Sequence, residues 1–427
     1  MYAIRGLFRV YVKFNVFLDV AGYIREIFMS KLLIQISRKF NFVKMSGTVK
    51  VSHKVPLKLI VTVKQEKTSK DLCFISVTLN IKKMKVLITG ASGLLGRAIK
   101  TEFEKVSDWK ILGLGFTRLD GGLKKVDLQN DEEVIQLIDE FKPDVLIHSA
   151  AERRPDFVAN HEKETEQLNV KATETLAKHV NKYGGFMLYI STDYVFDGTS
   201  PPYKVSDATN PLNKYGMSKL QGERETLLHC KYSGVLRVPI LYGPLKYVDE
   251  SAVTSNQECG KKVLGTKLIS KRDCAKCLEK YYIVKVKVGF AKFHTCHVIA
   301  ITRCLLSILR DTSKPATISN YEQRYPTSTV DIAVVCREII KYRQNHPSFC
   351  GIWQWRSDDK LTKYGMVKVM SEVFNLPVSH VTPNNSPTSG AARPYDCEFD
   401  CSELEAIGVS QRTPFREAIN ACLKPFL

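Results

Sequence analysis

The 427-residue chain has no uninterrupted apolar run of the ~18 residues that a membrane-crossing helix needs, so no transmembrane span is expected. It also lacks a regular cysteine framework. Its 12 cysteines are scattered, and a chain of this length buries a core without disulfide staples, so reduced thiols are expected. Acidic residues are scarce in two places: residues 1–83 hold 16 Lys+Arg against 4 Asp+Glu, and residues 255–311 hold 12 against 4. Elsewhere the charges nearly cancel, so the net charge of +19 belongs to two segments and not to the body of the protein. An argument from overall charge to a nucleic-acid partner therefore fails, and neither nucleic acid nor membrane is expected as a partner.

Serine richness is missing from Met1–Phe40, which is basic, aromatic-rich and acid-poor; that absence counts against an organellar transit peptide. Residues 1–83, with short β-prone runs over 50–82, read as an atypical basic extension, either disordered or the product of a misplaced gene start. Residues 255–311 hold five of the cysteines (Cys259, Cys274, Cys277, Cys296 and Cys304) and read as a basic, Cys-rich insert outside the core. Cys274-x2-Cys277 with His294, Cys296 and His297 does not fit zinc-finger spacing, and no metal is expected.

What is present is most concentrated at Lys85-Val86-Leu87-Ile88-Thr89-Gly90-Ala91-Ser92-Gly93-Leu94-Leu95-Gly96-Arg97. A strand-like apolar run breaks at three glycines, Gly90, Gly93 and Gly96, and an apolar-periodic segment follows. Strand, tight turn and helix in that order present backbone N–H groups and a helix N-terminus to a pyrophosphate. Glycine is needed because a Cβ would obstruct the turn, the ligand's approach or the helix packing.

From Met84 the chain alternates strands (Lys85–Thr89, Lys110–Gly115, Val145–His148, Met187–Ser191, Val235–Pro239) with helices (Gly96–Val106, Asp131–Phe141, Lys163–Lys182, Pro211–Leu228). Short, nearly all-apolar strands at this spacing predict a doubly wound parallel α/β sheet covered on both faces. Residues 84–254 form the nucleotide-binding domain on this reading. Residues 312–427 supply the remainder of the fold with a smaller C-terminal α/β lobe: helix Val330–Tyr342, a short strand Trp353–Trp355, helix Leu361–Phe374 and a last helix Phe415–Leu423.

Tyr215-Gly216-Met217-Ser218-Lys219 puts a phenol and an ammonium on one helix face. The ammonium is expected to lower the Tyr215 pKa, which suits a proton donor to a carbonyl under reduction, with Lys219 also able to hold a ribose hydroxyl. Ser191-Thr192-Asp193-Tyr194 ends a strand at the sheet's carboxyl edge, where Thr192 is placed to bond the same carbonyl. The second strand ends Gly115-Phe116-Thr117-Arg118, without the acid that grips an NAD ribose; Arg118 either pairs with a 2′-phosphate, favouring NADP, or is solvated. Val126-Asp127-Leu128 closes the third strand against the adenine edge, and His148-Ser149-Ala150-Ala151 ends the fourth with small residues that let a cofactor approach. Glu152-Arg153-Arg154-Pro155-Asp156 is either a solvated loop or a ligand or partner contact.

Gly90-x-x-Gly93-x-x-Gly96 with Tyr215-x-x-x-Lys219 resembles the extended short-chain dehydrogenase/reductase superfamily, with its Rossmann fold. Ser191-Thr192-Asp193-Tyr194-Val195-Phe196-Asp197-Gly198 is similar to the dTDP-4-dehydrorhamnose reductases. Ala150-Ala151-Glu152-Arg153-Arg154-Pro155-Asp156, Arg237–Gly243, Glu250–Thr254, Gln323–Thr327, Leu361–Tyr364 and Gln411–Phe415 resemble the regulatory beta subunits of methionine adenosyltransferase. The resemblance covers roughly 84–254 and 312–427. It implies NADP(H) binding, association with the methionine adenosyltransferase catalytic subunit, and modulation of S-adenosylmethionine synthesis in a cytoplasmic hetero-oligomer, with the nucleus as a further compartment. The alternative it implies is an NADPH-dependent nucleotide-sugar reductase using Thr192, Tyr215 and Lys219, which in a regulator would be vestigial. The candidate cofactor contacts are Gly90, Ser92, Gly93, Leu94, Leu95, Gly96, Phe116, Arg118, Asp127, Leu128, Ala150, Ala151, Arg153, Tyr215, Lys219 and Pro239. Three features depart from the family: the 1–83 extension, the 255–311 insert, which reads like wrongly included non-coding sequence, and Lys424-Pro425-Phe426-Leu427, which stands where the family continues into a polar, basic tail.

Overall fold

A computed structural model describes residues 9–14, 45–50, 56–65, 72–81, 83–244 and 301–423. The chain divides into two units at Met84. In the first, strands β1 (Arg9–Phe14), β2 (Met45–Lys50), β3 (Pro56–Gln65) and β4 (Leu72–Ile81) form one sheet in the order β1-β4-β3-β2. These strands and Lys83 are all that is described of the 1–83 extension; the rest of it, and the 255–300 part of the Cys-rich insert, lie outside the described residues.

In the second unit, β5 (Met84–Thr89), β6 (Trp109–Gly115), β7 (Lys124–Lys125), β8 (Val145–His148), β9 (Phe186–Thr192), β10 (Ser233–Val238) and β14 (Gly351–Gln354) form a seven-stranded sheet. Its order is β14-β10-β9-β8-β5-β6-β7, so the direction of winding reverses between β5 and β8. The pairs β5–β8, β8–β9, β9–β10, β10–β14 and β6–β7 are parallel. All residues of β8, β9 and β10 are buried, as continuous apolar strands covered on both faces require. Helices α1 (Leu94–Phe103), α2 (Asp131–Phe141), α3 (Ala172–Lys182) and α4 (Lys214–His229) make the crossovers. Leu87, Leu146, Leu176, Met187 and Val235 knit the sheet to them. Helix α2 starts where Asn130 accepts from the Glu133 amide at 3.2 Å and three acids occupy the first turn, so cap and dipole agree.

The C-terminal third is shared between two bodies. Strand β14, read from sequence as part of the smaller lobe, completes the main sheet as its edge, and α6 (Thr329–Asn345) joins the main body through the Arg337–Glu102 ion pair to α1. The smaller lobe is built from α5 (Ile301–Arg310), β12 (Ala316–Ser319), α7 (Lys363–Phe374), β15 (Val381–Asn384) and α8 (Phe415–Leu423). Leu305, Leu309, Ile318, Met366, Met370, Phe415 and Ile419 form its core. A short pair, β11 (Leu241–Tyr242) with β13 (Thr327–Ser328), links it to the end of β10.

Two local expectations are corrected. The helix expected over Lys163–Lys182 is a short helix Glu162–Glu166, a π-turn Gln167–Lys171 and then α3. The wide turn buries Asn169, whose side chain accepts from the Glu152 amide at 2.8 Å and donates to the Glu152 carbonyl at 2.9 Å, a pairing a regular helix would not aim inward. The third strand is only Lys124–Lys125, and Val126-Asp127-Leu128 follows it instead of closing it. The Val126 amide still bonds the Gly115 carbonyl at 3.0 Å, but Asp127 Oδ1 turns to cap the Gln129 amide and ends the ladder. Among the described residues no helix is long and apolar enough to cross a membrane.

Candidate functional site

A cavity of about 550 Å3 opens at the carboxyl ends of the central strands, where the winding reverses. It gathers residues from opposite ends of the sequence: the β5–α1 turn, the ends of β6, β8, β9 and β10, the face of α4, and Arg324, Lys363 and Arg393 from the C-terminal third. All candidate residues line it, from Gly90 to Pro239, including Thr192, Tyr215 and Lys219.

The glycine turn forms one end. Gly90 has φ +65°, and a Cβ there would stand 2.8 Å from the Ala150 amide nitrogen. A Cβ on Gly96 would overlap the Gly90 carbonyl oxygen. Gly90 is thus required by its backbone conformation and by the close approach of the β8 loop, and Gly96 by the packing of α1 on the turn. Helix α1 has no acidic residue in its first turn, leaving its positive end unopposed. Arg97 donates to the Ser92 carbonyl at 2.8 Å and holds the turn in shape.

The other end is chemical. Asn213 caps α4 by accepting from the Gly216 amide at 2.9 Å, and α4 carries Tyr215 and Lys219 toward the end of β9. Here one expectation fails. The Lys219 ammonium donates to the Ile190 carbonyl at 2.7 Å and lies 4.0 Å from the Tyr189 ring centroid, so its bond is to β9 and not to the Tyr215 phenol. Burial therefore dominates both groups. It raises the Tyr215 phenol well above its usual value, with a hydrogen bond to Thr192 pulling the other way, and it brings Lys219 down to about 7. Spacing put the two side chains on one face, but the carbonyl at the end of β9 captured the ammonium.

Asp193 follows Thr192 and is buried. Burial raises its carboxyl to about 6, against the opposing pull of Arg324 and of the Thr192 hydroxyl, which donates to it at 3.0 Å. Beneath this end, Arg237 on β10 forks onto Glu223 of α4 at 2.7 and 2.9 Å, and Ser191 donates to the same carboxylate at 2.5 Å. His148 is buried between the hydroxyls of Thr89 (2.7 Å) and Thr173 (3.0 Å), and burial lowers it to about 3, so it is neutral and structural.

The Glu152–Asp156 loop is held from within. Arg154 forks onto Glu152 at 2.9 and 2.7 Å and lies 4.4 Å from the Phe157 ring centroid, while Asp156 pairs with Arg393 at 2.9 Å. Arg324 and Arg393, which the motifs did not single out as site residues, enter from far along the chain, Arg393 standing 237 positions from its partner Asp156. Arg324 lies in the Gln323–Thr327 motif and Arg393 ends a stretch rich in Ser, Pro, Asn and Gly, but neither pattern says that the chain returns there to the cavity. Glu174, Glu225 and His229 come together on α3 and α4, but the two glutamates are engaged by Lys171, Lys178 and Gln221. The sequence cluster Cys274–His297 lies outside the described residues.

The model of the RmlD substrate binding domain matches residues 84–255 and 262–427. A methionine adenosyltransferase 2 subunit beta of Bos taurus is 39% identical over 358 residues, spanning 84% of this chain and 92% of that protein. The chain belongs to this beta-subunit family. The subunit of the same name from Danio rerio is 40% identical over 345 residues, spanning 80% of this chain and 91% of its own length. Among solved structures, a dTDP-4-dehydrorhamnose reductase of Bacillus anthracis in complex with NADP is 22% identical, covers 81% of this chain and 99% of its own, and superposes with a TM-score of 0.59. A UDP-glucose 4-epimerase of Thermotoga maritima gives 0.60 at 13% identity, covering 80% of this chain and 98% of its own. These two share the fold. In this beta-subunit-family chain, then, the glycine turn, the Thr192–Tyr215–Lys219 set and the Ala150–Asp156 loop all line one cavity.

Proposed function

We propose that this chain is the regulatory subunit of a methionine adenosyltransferase, which binds NADP(H) in the cavity, associates with the catalytic subunit and modulates S-adenosylmethionine synthesis. The observation that carries the reading is 39% identity over 92% of the length of a named beta subunit. The cytoplasm, with the nucleus as a further compartment, is the proposed location.

The cavity walls fit a dinucleotide bearing a 2′-phosphate. The glycine turn leaves a cradle that a Cβ at 90 or 96 would fill, and the N-terminus of α1 faces it without a competing acid. Arg118 lines the wall just past the end of β6, and Gly115-Phe116-Thr117 before it carry no acid. When bound, the cofactor supplies a hydride donor or acceptor. The chain's own residues would hold it: backbone N–H groups of the glycine turn would donate to the pyrophosphate, Arg118 would pair with the 2′-phosphate, and Ala150 and Ala151 would leave room beside it.

A second reading, an NADPH-dependent reductase of a 4-keto nucleotide sugar, draws on the presence of Thr192, Tyr215 and Lys219 in the same cavity. It also draws on 36% identity over 160 residues to a dTDP-4-dehydrorhamnose reductase of Aggregatibacter actinomycetemcomitans, which spans 37% of this chain. Tyr215 argues against it as it stands, because a phenol raised by burial and without a bonded ammonium holds its proton more tightly than proton donation favours.

The test is co-purification with a methionine adenosyltransferase catalytic subunit, with and without NADP. A stable complex with altered kinetics of S-adenosylmethionine synthesis is expected. No complex, together with NADPH consumption on a 4-keto nucleotide sugar that vanishes in Tyr215→Phe, would replace the regulator with a reductase.

A further inference from the structure

The loop after β8 and the segment 386–394 of the C-terminal third approach the cavity from different parts of the fold and meet at Asp156 and Arg393, both of which line it. Asp156 makes a two-pronged contact: Oδ2 takes the Arg393 guanidinium at 2.9 Å, and Oδ1 accepts from the Ala391 amide at 2.9 Å. The approach is close enough to dictate the residue between them. Gly390 has φ +100°, and a Cβ there would lie 2.6 Å from Asp156 Oδ1. Two further side chains pin the same segment: Asn213, the cap of α4, donates to the Ala392 carbonyl at 2.7 Å, and Glu322 accepts from the Thr388 amide at 2.9 Å.

The Pro394 carbonyl accepts from Arg324 at 3.1 Å, and Arg393 donates back to the Ser389 and Ala391 carbonyls at 3.2 Å. Residues 385–387, 389, 390 and 392 are exposed, so the segment is fastened by polar contacts and not by a core of its own. At its other end the β8 loop abuts the glycine turn, through Ala150 against Gly90. One short loop thus touches both the glycine turn and the segment 386–394.

We propose that segment 386–394 is a strap over the cavity and that the Asp156–Arg393 pair is its latch, which must part for the nucleotide to enter or leave. The inference rests on the reading of the cavity as a nucleotide site. On this proposal the latch is closed in the free and the filled protein alike, so it sets rates in both directions and leaves affinity nearly unchanged. A side chain that merely touched the ligand would change release alone.

The experiment is stopped-flow binding and release of NADPH, followed by its fluorescence, on the full chain. In Asp156→Asn, association and release are both expected to rise about tenfold, the scale of a lost charge-assisted hydrogen bond, with Kd moving less than about threefold. Gly390→Ala is expected to do the same by pushing the strap off Asp156. The charge swap Asp156→Arg with Arg393→Asp, which restores a pair of opposite charges, is expected to bring both rates back toward wild type. Thermal unfolding of each variant monitors the fold. Rates unchanged in folded Asp156→Asn and Gly390→Ala overturn the latch, as does a change confined to release. Wild-type protein that binds no NADPH overturns the nucleotide reading, and the latch with it.

Discussion

At one end of the cavity, Gly90, Gly93 and Gly96 present bare backbone; at the other, Thr192 stands beside three groups that titrate, Asp193, Tyr215 and Lys219. The first end works by what is missing, since any Cβ at 90 or 96 collides with main chain. The second works by what is buried, since removal from water moves three of its groups away from their ordinary pKa values. The glycine end follows from a dozen consecutive residues. The chemical end needs β9, β10, α4 and Arg324 of the C-terminal third brought together. A binding surface can therefore be encoded locally, while a tuned set of charges depends on the whole fold.

The largest expected effect strikes the support of the chemical end. Arg237→Ala removes the guanidinium from Glu223, a carboxyl buried between α4 and β10, and leaves it Ser191 as its remaining hydrogen-bond donor among the described residues. A loss of about 3–5 kcal/mol is expected, read by urea unfolding. Replacing both partners by apolar residues of similar size should recover most of it. If Arg237→Ala unfolds with wild-type stability, the charged support beneath this end is not one.

Next comes pH. Asp193 titrates at about 6 in the fold because burial disfavours its charge, against 3.8 in the unfolded chain. A carboxyl raised in this way lends stability below its unfolded value and loses it as pH rises through the folded one. Asp193→Asn should therefore match wild type near pH 4 and exceed it by roughly 2–3 kcal/mol at about pH 7–8. Denaturation curves over that pH series test this, and parallel profiles for the two proteins would contradict it. Lys219 works in the opposite sense: lowered to about 7 from 10.5, it costs stability as pH falls through that window, so the variant comparison needs Lys219 intact.

The glycine end should respond more modestly in stability and more sharply in binding. Gly96→Ala forces a methyl onto the Gly90 carbonyl, and about 1–3 kcal/mol of destabilisation is expected from the overpacking. NADPH binding should be lost, while the pH profile set by Asp193 stays as in wild type. A Gly96→Ala protein that still binds NADPH would break the division between the two ends.

How much of this could be read from the chain follows the same line. Helix α2 and strand β8 fall where the sequence put them, because Asn130, three acids and an apolar run act locally. The π-turn, the membership of β14 in the main sheet and the Lys219–Ile190 bond were not legible. Each depends on a partner distant in sequence: Glu152 for Asn169, β10 for β14, and the end of β9 for the ammonium. The candidate residues nonetheless converge on one cavity, since most were chosen from strand ends or the glycine turn, which a doubly wound sheet gathers at one edge, and the helix Lys214–His229 carries Tyr215 and Lys219 to that same edge.

The smallest effect belongs to a residue at the margin of the glycine end. Arg118 stands just past β6, at the cavity wall, where the strand end Gly115-Phe116-Thr117 offers no acid to a ribose hydroxyl. Its side chain is half-buried, so an ion pair with a 2′-phosphate would be partly screened by water. That limits its worth to about 1 kcal/mol, or roughly fivefold in affinity. Arg118→Ala should therefore weaken NADPH by about that factor and leave NADH unchanged, narrowing the preference without abolishing binding. Raising the salt concentration should narrow the same preference in wild type and have little effect in the variant. Equal weakening of both cofactors would mean that Arg118 only packs the wall, and that the preference for a 2′-phosphate comes from the absence of the acid alone.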